Sequence, residues 1–528
     1  MAIDTPLSSG AAADLAAKNG KALGLEQVDL TIVKPETDAV ALAPGDYALK
    51  HQVMPLAMDG DTLVVALGNV ESLQAVDDLA VLLGMPTRPV MADSAVLREK
   101  IEEIFLGKIL EGVASDTDAS AAILDDTTDL ADLAKMASET AVVQMVNLIF
   151  AQAVRDGASD IHVEPYEREV KVRYRIDGML RDMIKPPKRM HAALVSRLKI
   201  LGELNIAERR LPQDGRIKVT IAGRPIDVRL SIVPTVYGER AVMRILDKGT
   251  AMLGLPELGM QPDTLKKFRT LISLPHGIIL ATGPTGSGKS TSLYAALQEI
   301  WSPTTNILTI EDPVEYQVAG ISQIQVRPNI GLTFAKGLRS IVRQDPDVIM
   351  VGEIRDQETA EISIHAALTG HLVFSTLHTN DAAGAVTRLL DMGVEPYLVA
   401  SSLVGVVAQR LVRRVCASCG KPYTASPETL AAVGITPEEA AKATLMRGEG
   451  CEKCQGTGFR GRQGLYELLL VDETIRRQTV DRASSNTMKQ HATEAQGMRT
   501  LLGDGRLAVL SGRTTPEEVI RVCQREEF

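Results

Sequence analysis

Four near-continuous apolar runs mark the middle of the chain: Gly277–Thr282, Ile307–Ile310, Val348–Val351 and Leu372–Ser375. Segments of helical character separate them. Continuous runs alternating with helices predict a parallel sheet covered on both faces, an α/β domain. Upstream the period changes. Val143, Val146, Ile149, Phe150 and Ala153 recur at helical spacing, and Gly157 is placed to end that helix. Asp160 to Glu164, Val170 to Arg175 and Arg224 to Ile232 then alternate as half-buried strands do, so 141–250 reads as a second, α+β domain. Residues 1–110 mix short alternating runs with turns. Asp59-Gly60-Asp61 followed by Thr62 to Leu67 predicts a turn and a strand, and Leu97 to Phe105 a helix, together a small α+β module.

Asp116, Asp118, Asp125, Asp126, Asp129 and Asp132 crowd an Ala/Ser/Thr segment, so 111–140 is expected to be an acidic linker. The α/β domain is assigned to 251–415, a cysteine-bearing module to 416–470, and a helical region to 471–528. Thr436-Pro437-Glu438-Glu439 and Thr515-Pro516-Glu517-Glu518 are capping-box starts with Pro at the first helical position.

Composition narrows the function classes. At 528 residues with 45% apolar and 23% charged residues, the chain is globular and long enough for several domains. A net charge of −10 and only 3% aromatics count against a polyanion binder that stacks bases. Five cysteines do not make a disulfide framework and suggest a reducing compartment. The start shows no signal peptide, and no run approaches the roughly 18 apolar residues of a membrane span. The longest apolar stretch, Tyr397 to Ala408, ends at Gln409-Arg410. The expectation is a cytoplasmic protein that reaches a membrane only through partners.

Gly283-Pro284-Thr285-Gly286-Ser287-Gly288-Lys289-Ser290 fits G-x-x-x-x-G-K-[ST]. The glycines let the backbone curl so that several N–H groups converge on one anion. Lys289 is expected to reach the β- and γ-phosphates and the Ser290 hydroxyl to ligate Mg²⁺, with Thr291 continuing the loop into its helix. The apolar strand before the loop and the stripe Leu293, Leu297, Ile300 after it supply the required context. No Asn-Lys-x-Asp element marks guanine selectivity, so the nucleotide is taken as ATP.

Hydrolysis also needs groups for metal and water. Glu353 ends the apolar run 348–351 where a Walker-B acid belongs, its longer arm suiting Mg²⁺ contact through water. Glu311, Asp312 and Glu315 cluster after another strand, a density of like charge that a cation or substrate would relieve. His371 and His378 flank the run 372–375 from opposite ends, and His378 is placed near the γ-phosphate. Arg339 and Arg343, spaced i, i+4, are expected on one helix face, while Arg229 and Arg244 lie on alternating strands of the second domain and Arg216 follows a Gln213-Asp214-Gly215 turn. Cys416-x-x-Cys419 and Cys451-x-x-Cys454 have the spacing of a closed structural zinc site, and Cys523 is left over to pack.

In order along the chain, Ala158-Ser159-Asp160-Ile161-His162-Val163-Glu164-Pro165, Leu211-Pro212-Gln213-Asp214-Gly215-Arg216, the phosphate loop, Thr309 to Tyr316, Asp345 to Asp356, Thr369 to His378 and the four cysteines resemble the ATPases of type II secretion and type IV pilus assembly. The resemblance runs from about Ala141 to the C-terminus. Asp227 to Ser231, Gly238 to Arg244 and Gly384 to Leu389 are most similar to the type II secretion branch, and the cysteine insert sets the chain apart from pilus-retraction ATPases.

The resemblance implies a RecA-like nucleotide domain preceded by a PAS-like α+β domain, with a zinc-binding insertion. It implies a hexameric ring that hydrolyses ATP to drive pseudopilus assembly at the inner membrane, with type IV pilus extension as the alternative. Glu315 is implied to polarise the attacking water, Glu353 to be the Walker-B acid, Arg339 and Arg343 to line the nucleotide in the same subunit, and Arg229 and Arg244 to reach nucleotide from the second domain. The N-terminal module resembles the family's region for binding the cytoplasmic domain of a membrane platform protein. The Arg-Leu-Gly repeats of cyclic-dinucleotide-binding relatives are not found, which counts against that ligand. A nucleic-acid translocase meets the charge objection above, and a small-molecule kinase would not use a zinc module.

Overall fold

The structure, a computed structural model, describes residues 25–523 except 31, 44–46, 49–50, 95, 98–99, 102–103, 105–139, 222–223 and 248–252. The expected acidic linker therefore falls almost wholly outside the described residues. The chain divides into two compact units, one mainly of residues up to Arg244 and one mainly of Ile245 onward.

The N-terminal module has a three-stranded sheet in the order β1 (Val53–Asp59), β2 (Thr62–Leu67), β3 (Thr87–Met91), with β1–β2 antiparallel and β2–β3 parallel. The predicted turn is there, with Gly60 at φ +63°. Val53, Leu63, Val65, Leu79 and Leu97 fill its core.

The next sheet has six strands in the order β6 (Met179–Ile184), β5 (Val170–Ile176), β4 (Asp160–Pro165), β9 (Gly238–Asp247), β8 (Arg224–Thr235), β7 (Gln213–Ile221). The helix Thr140–Arg155 precedes it and Gly157, at φ +68°, follows that helix as expected. β5 alternates buried and half-buried positions. β4 does not: all six of its residues are buried, so the expectation of a half-buried strand fails there. β4 is central, and its polar residues meet arginines instead of water. Arg244 Nε donates to Asp160 Oδ1 at 3.0 Å, and Glu164 lies 2.6 Å from Arg173 and 2.7 Å from Arg240. Burial would raise the Glu164 carboxyl, but Arg173, Tyr166 and Arg240 hold it below its ordinary value.

The second unit is built on a seven-stranded sheet: β12 (Ser322–Gln325), β11 (Ile307–Glu311), β13 (Val348–Val351), β14 (Leu372–Leu377), β10 (Gly277–Thr282), β15 (Leu403–Val415), β18 (Phe459–Leu470). The four predicted runs are its centre and are parallel, as are β12 to β11 and β15 to β10. β18 is antiparallel to β15, so the segment leaving the cysteine module returns as an edge strand. Two apolar cores lie against the sheet, one around Ile310, Ile349, Val373 and Leu389, the other around Phe268, Ile279, Leu297 and Phe374. A short hairpin, β16 (Gly420–Pro422) with β17 (Met446–Gly448), belongs to the cysteine region.

The first capping box forms: Glu439 N–H donates to Thr436 Oγ1 and Thr436 N–H to Glu439 Oε2. At the second, Glu518 instead turns to Arg413 and Arg521. Among the described residues, no helix is long and apolar enough to cross a membrane.

Candidate active site

The phosphate loop joins β10 to the helix Lys289–Ile300. Its glycines are demanded by geometry. Gly283 has φ +145° and Gly288 φ +92°, and a Cβ at either would stand 2.5 Å from the Gln409 carbonyl or 2.7 Å from the Gln409 amide. The Lys289 ammonium is buried and donates to the Gly283 carbonyl at 2.7 Å and the Pro284 carbonyl at 3.2 Å. Burial, aided by the charge of Arg410 and opposed by Glu353, pulls its pKa from 10.5 down to about 8. The Ser287 hydroxyl is buried with no hydrogen-bond partner. An orphaned donor inside a curled, glycine-lined loop at a helix N-terminus fits a phosphate, while Ser290 stands exposed at the helix start, where a magnesium ligand can sit.

Two other predicted groups gather at the C-terminal ends of adjacent strands. Glu353 follows β13 and His378 follows β14. His378 Nε2 lies 3.5 Å from Glu353 Oε2, and Arg355 donates to Glu353 Oε1 at 2.5 Å. β10, β14 and β13 run parallel, so Glu353, which follows β13, lies at the same end of the sheet as the phosphate loop, which follows β10. His371 lies at the far end of β14, as expected, and its Nδ1 is engaged by the Ala366 carbonyl at 2.7 Å, a structural contact.

The carboxylate cluster after β11 resolves into different parts. Glu311 is buried, bonded by Tyr294, by Thr309 at 2.5 Å and by Gln323 at 3.1 Å, so it ties the sheet to the loop helix. Glu315 is half-buried on the loop beyond. Its backbone amide bonds the Tyr294 hydroxyl, and Tyr294 packs edge-on to Tyr316 with centroids 5.5 Å apart. Tyr294 thereby links the helix of the phosphate loop to the segment carrying Glu315.

The arginines divide. Arg339 is on the helix Phe334–Ile341 and pairs with Glu358 at 2.7 Å. Arg343 lies beyond the helix end, so the two do not share a helix face; its Nη1 reaches back to the Arg339 carbonyl at 2.5 Å. Asp345, at φ +51°, and the following Pro346 turn the chain toward β13. Arg229 is on β8 and Arg244 on β9, paired with Asp160. Arg410, which sequence reasoning passed over, is buried against the phosphate loop. The signal was the charge that ends the longest apolar run.

The four cysteine sulphurs lie within 4.8 Å of one another. Three separations are 3.7, 3.7 and 3.9 Å. Thiolates bound tetrahedrally at about 2.3 Å stand about 3.8 Å apart, so the cluster has the dimensions of a metal site. Burial would raise the Cys454 thiol, but the amides of Cys451 and Gly458 bring it to about 6, favouring the thiolate a metal needs. Cys523 is buried in the apolar core.

Residues 135–521 match the family described as type II/IV secretion system protein. The chain belongs to that family. It is a secretion ATPase, and nucleotide and Mg²⁺ use come with the family. Residues 23–109 match the MshEN domain. The secretion ATPase is 44% identical over 513 residues to the type IV pilus assembly ATPase PilB of Myxococcus xanthus, covering 96% of this chain and 90% of that one. It is 49% identical over 465 residues to the type II secretion system protein HxcR of Pseudomonas aeruginosa, covering 84% and 95%. With the type II secretion system ATPase E of Vibrio cholerae the figures are 48% over 417 residues, 79% and 82%. The X-ray structure of the Legionella pneumophila ATPase DotB aligns with TM-score 0.54 at 20% identity over 72% of this chain and 95% of that one, a likeness of fold.

Proposed function

We propose that this secretion ATPase is the motor of type II protein secretion, converting ATP hydrolysis in a homo-hexamer into pseudopilus assembly at the inner membrane. The observation that carries the reading is that Lys289, Glu353 and His378 all follow the C-terminal ends of three adjacent interior strands, β10, β13 and β14, with His378 3.5 Å from Glu353. Lys289 holds the β- and γ-phosphates, Ser290 and Glu353 serve the magnesium ion, and Glu315 orients the attacking water. Magnesium supplies charge neutralisation on the phosphates; every proton and contact assigned here belongs to the chain. Arg339 and Arg343 line the nucleotide from the same subunit, and Arg229 and Arg244 reach it from the second domain of a neighbour. The cysteine tetrad holds one structural zinc ion. The N-terminal module docks on the cytoplasmic domain of a membrane platform protein, which keeps the motor cytoplasmic and only peripherally at the membrane, with no role for nucleic acid.

Type IV pilus extension is the second reading. It is favoured by one fact: the pilus relative from Myxococcus aligns with 96% of this chain, against 84% for HxcR. Complementation separates them. Expressed in strains lacking either the type II ATPase or the pilus extension ATPase, the chain should restore secretion of exoproteins and not piliation. Lys289→Ala should restore neither. Restored piliation without secretion would overturn the type II assignment.

A further inference from the structure

The segment that carries Glu315 joins two neighbouring parallel strands, β11 and β12, and its described residues 312–321 form neither helix nor strand. Without a ladder of backbone bonds, such a loop is fixed by side chains. One of them reaches into it from β12. Gln323 stands opposite Thr309 in the register of β11 with β12 and is half-buried. Its Oε1 accepts from the Val318 amide at 2.8 Å. Its Nε2 donates to the Tyr316 carbonyl at 2.9 Å and to Glu311 Oε1 at 3.1 Å. One amide thus grips the loop on both sides of Gln317, directly after Glu315, and ties it to the last residue of β11.

The partners dictate what this side chain must be. Two are acceptors and one is a donor, a set that an amide meets and a carboxylate or hydrocarbon does not. Turned over, the amide would set its oxygen against two acceptors and its NH₂ against an N–H, so the partners also fix its orientation. The anchor is itself held. Glu311 is buried and also accepts from Thr309 at 2.5 Å and from Tyr294 on the helix of the phosphate loop. The Tyr294 hydroxyl is met in turn by the backbone amide of Glu315. β11, β13, β14 and β10 run parallel, so the loop after β11 lies at the phosphate-loop end of the sheet.

We propose that Gln323 is a positioning residue of the hydrolytic site, holding the loop after β11 so that Glu315 meets the attacking water. The inference rests on the reading of Glu315 given above. Gln323 acts through Glu315 alone. The loop it grips follows β11 and the phosphate loop follows β10, so its loss reaches turnover and leaves affinity for nucleotide.

The test uses the full chain. Gln323→Leu removes all three bonds at similar volume, and Gln323→Asn keeps the amide but draws it back by one methylene. Each is made alone and together with Glu315→Gln. Steady-state hydrolysis is measured per site, with sites counted by binding of a fluorescent non-hydrolysable ATP analogue, so that unfolded chains do not enter kcat. Alone, Gln323→Leu should lower kcat by about tenfold or more, the order that a displaced catalytic group costs, and Gln323→Asn by about threefold or more. KM and the analogue's Kd should stay within about twofold of wild type. With Glu315→Gln already present, the same substitutions should cost less than about twofold, because the group they misplace is gone. A residue that serves only stability would lower the melting temperature and cost the same factor in both backgrounds. Equal losses in the two backgrounds overturn the proposal. So does wild-type kcat in Gln323→Asn, including where Gln323→Leu does not fold. Near-normal turnover in Glu315→Gln alone is a different failure, since it removes the Glu315 reading on which the proposal stands.

Discussion

Nucleotide affinity should fall as pH rises through about 8, and the size of the fall follows from Lys289. Burial leaves its ammonium with a pKa of about 8 where an ordinary lysine has 10.5. Only the protonated form attracts phosphate. In the free site about nine-tenths of the chains carry that proton at pH 7 and about one-tenth at pH 9. If bound phosphate needs the charge, the apparent Kd for ATP rises about tenfold over that interval, or roughly 1.4 kcal/mol. A lysine at 10.5 would change it by less than about 1.1-fold. The sign is fixed by the direction of the shift: phosphate raises the lysine pKa, so binding takes up a proton, about half a proton per site at pH 8 and nearly a whole one at pH 9.

The assay is a titration with a fluorescent non-hydrolysable analogue at constant free Mg²⁺, repeated from about pH 7 to 9. Calorimetry in buffers of different ionisation enthalpy reads the proton uptake directly. Lys289→Arg is the internal control, since a guanidinium stays charged throughout and should flatten the profile. A wild-type Kd constant within about twofold over the range would refute the burial argument. So would a slope that persists in Lys289→Arg, because the titrating group would then lie elsewhere.

Glu315→Gln should keep ATP binding while hydrolysis drops by about 10²-fold, the scale of a positioned carboxylate, and near-normal turnover would remove Glu315 from its assigned role. Metal analysis of purified protein should find one zinc per chain, and Cys416→Ser or Cys454→Ser should release it and lower the melting temperature while the phosphate loop still binds nucleotide; a well-folded, zinc-free wild type would refute the site. Burial would raise the Glu518 carboxyl, yet Arg413 and Arg521 hold it at about 2 against an ordinary 4.5. A carboxyl held down in the folded chain contributes stability above its unfolded pKa and loses it as pH falls from about 5 toward 2, here on the order of 3 kcal/mol. Glu518→Gln should therefore lower the melting temperature at pH 7 and narrow the difference near pH 3, and an acid-limb stability identical to wild type would count against the pairing.

The parts of the site that were legible in the sequence are those specified locally. A phosphate loop is fixed by eight consecutive residues, and parallel strands buried on both faces are uninterrupted apolar runs, so β10, β11, β13 and β14 could be read directly. The cysteine pairs are two local turns, and the structure had only to bring them together. Errors came where a pattern was extended past its cause. Arg339 and Arg343 have helical spacing, yet the helix stops at Ile341, ahead of Asp345-Pro346. β4 alternates in sequence, yet its polar side chains are buried because arginines from β5 and β9 arrive from outside the strand.

The same argument applies to the helical region assigned to 471–528, which is tied into the nucleotide domain through one buried acid. Glu467 on β18 is completely buried, and its carboxylate accepts from the amides of Ala382 at 2.9 Å and Leu501 at 3.3 Å, the first residues of two helices. A carboxylate at two helix N-termini meets two sets of orphan donors with one charge. Lys489, on a third helix, reaches Asp381 at 3.1 Å and Glu467 at 3.7 Å. Asp381 in turn caps the helix that begins three residues after Thr379, the residue bonded to Thr282 beside the phosphate loop. β18 thus carries the C-terminal helices onto the segment that leaves His378, through contacts separated by 85 to 108 residues in sequence. A buried acid in an apolar strand, Leu465-Tyr466-Glu467-Leu468-Leu469, was the visible sign. Such a charge is retained only where partners satisfy it, and here those partners hold the exit of the strand that delivers His378 to the site.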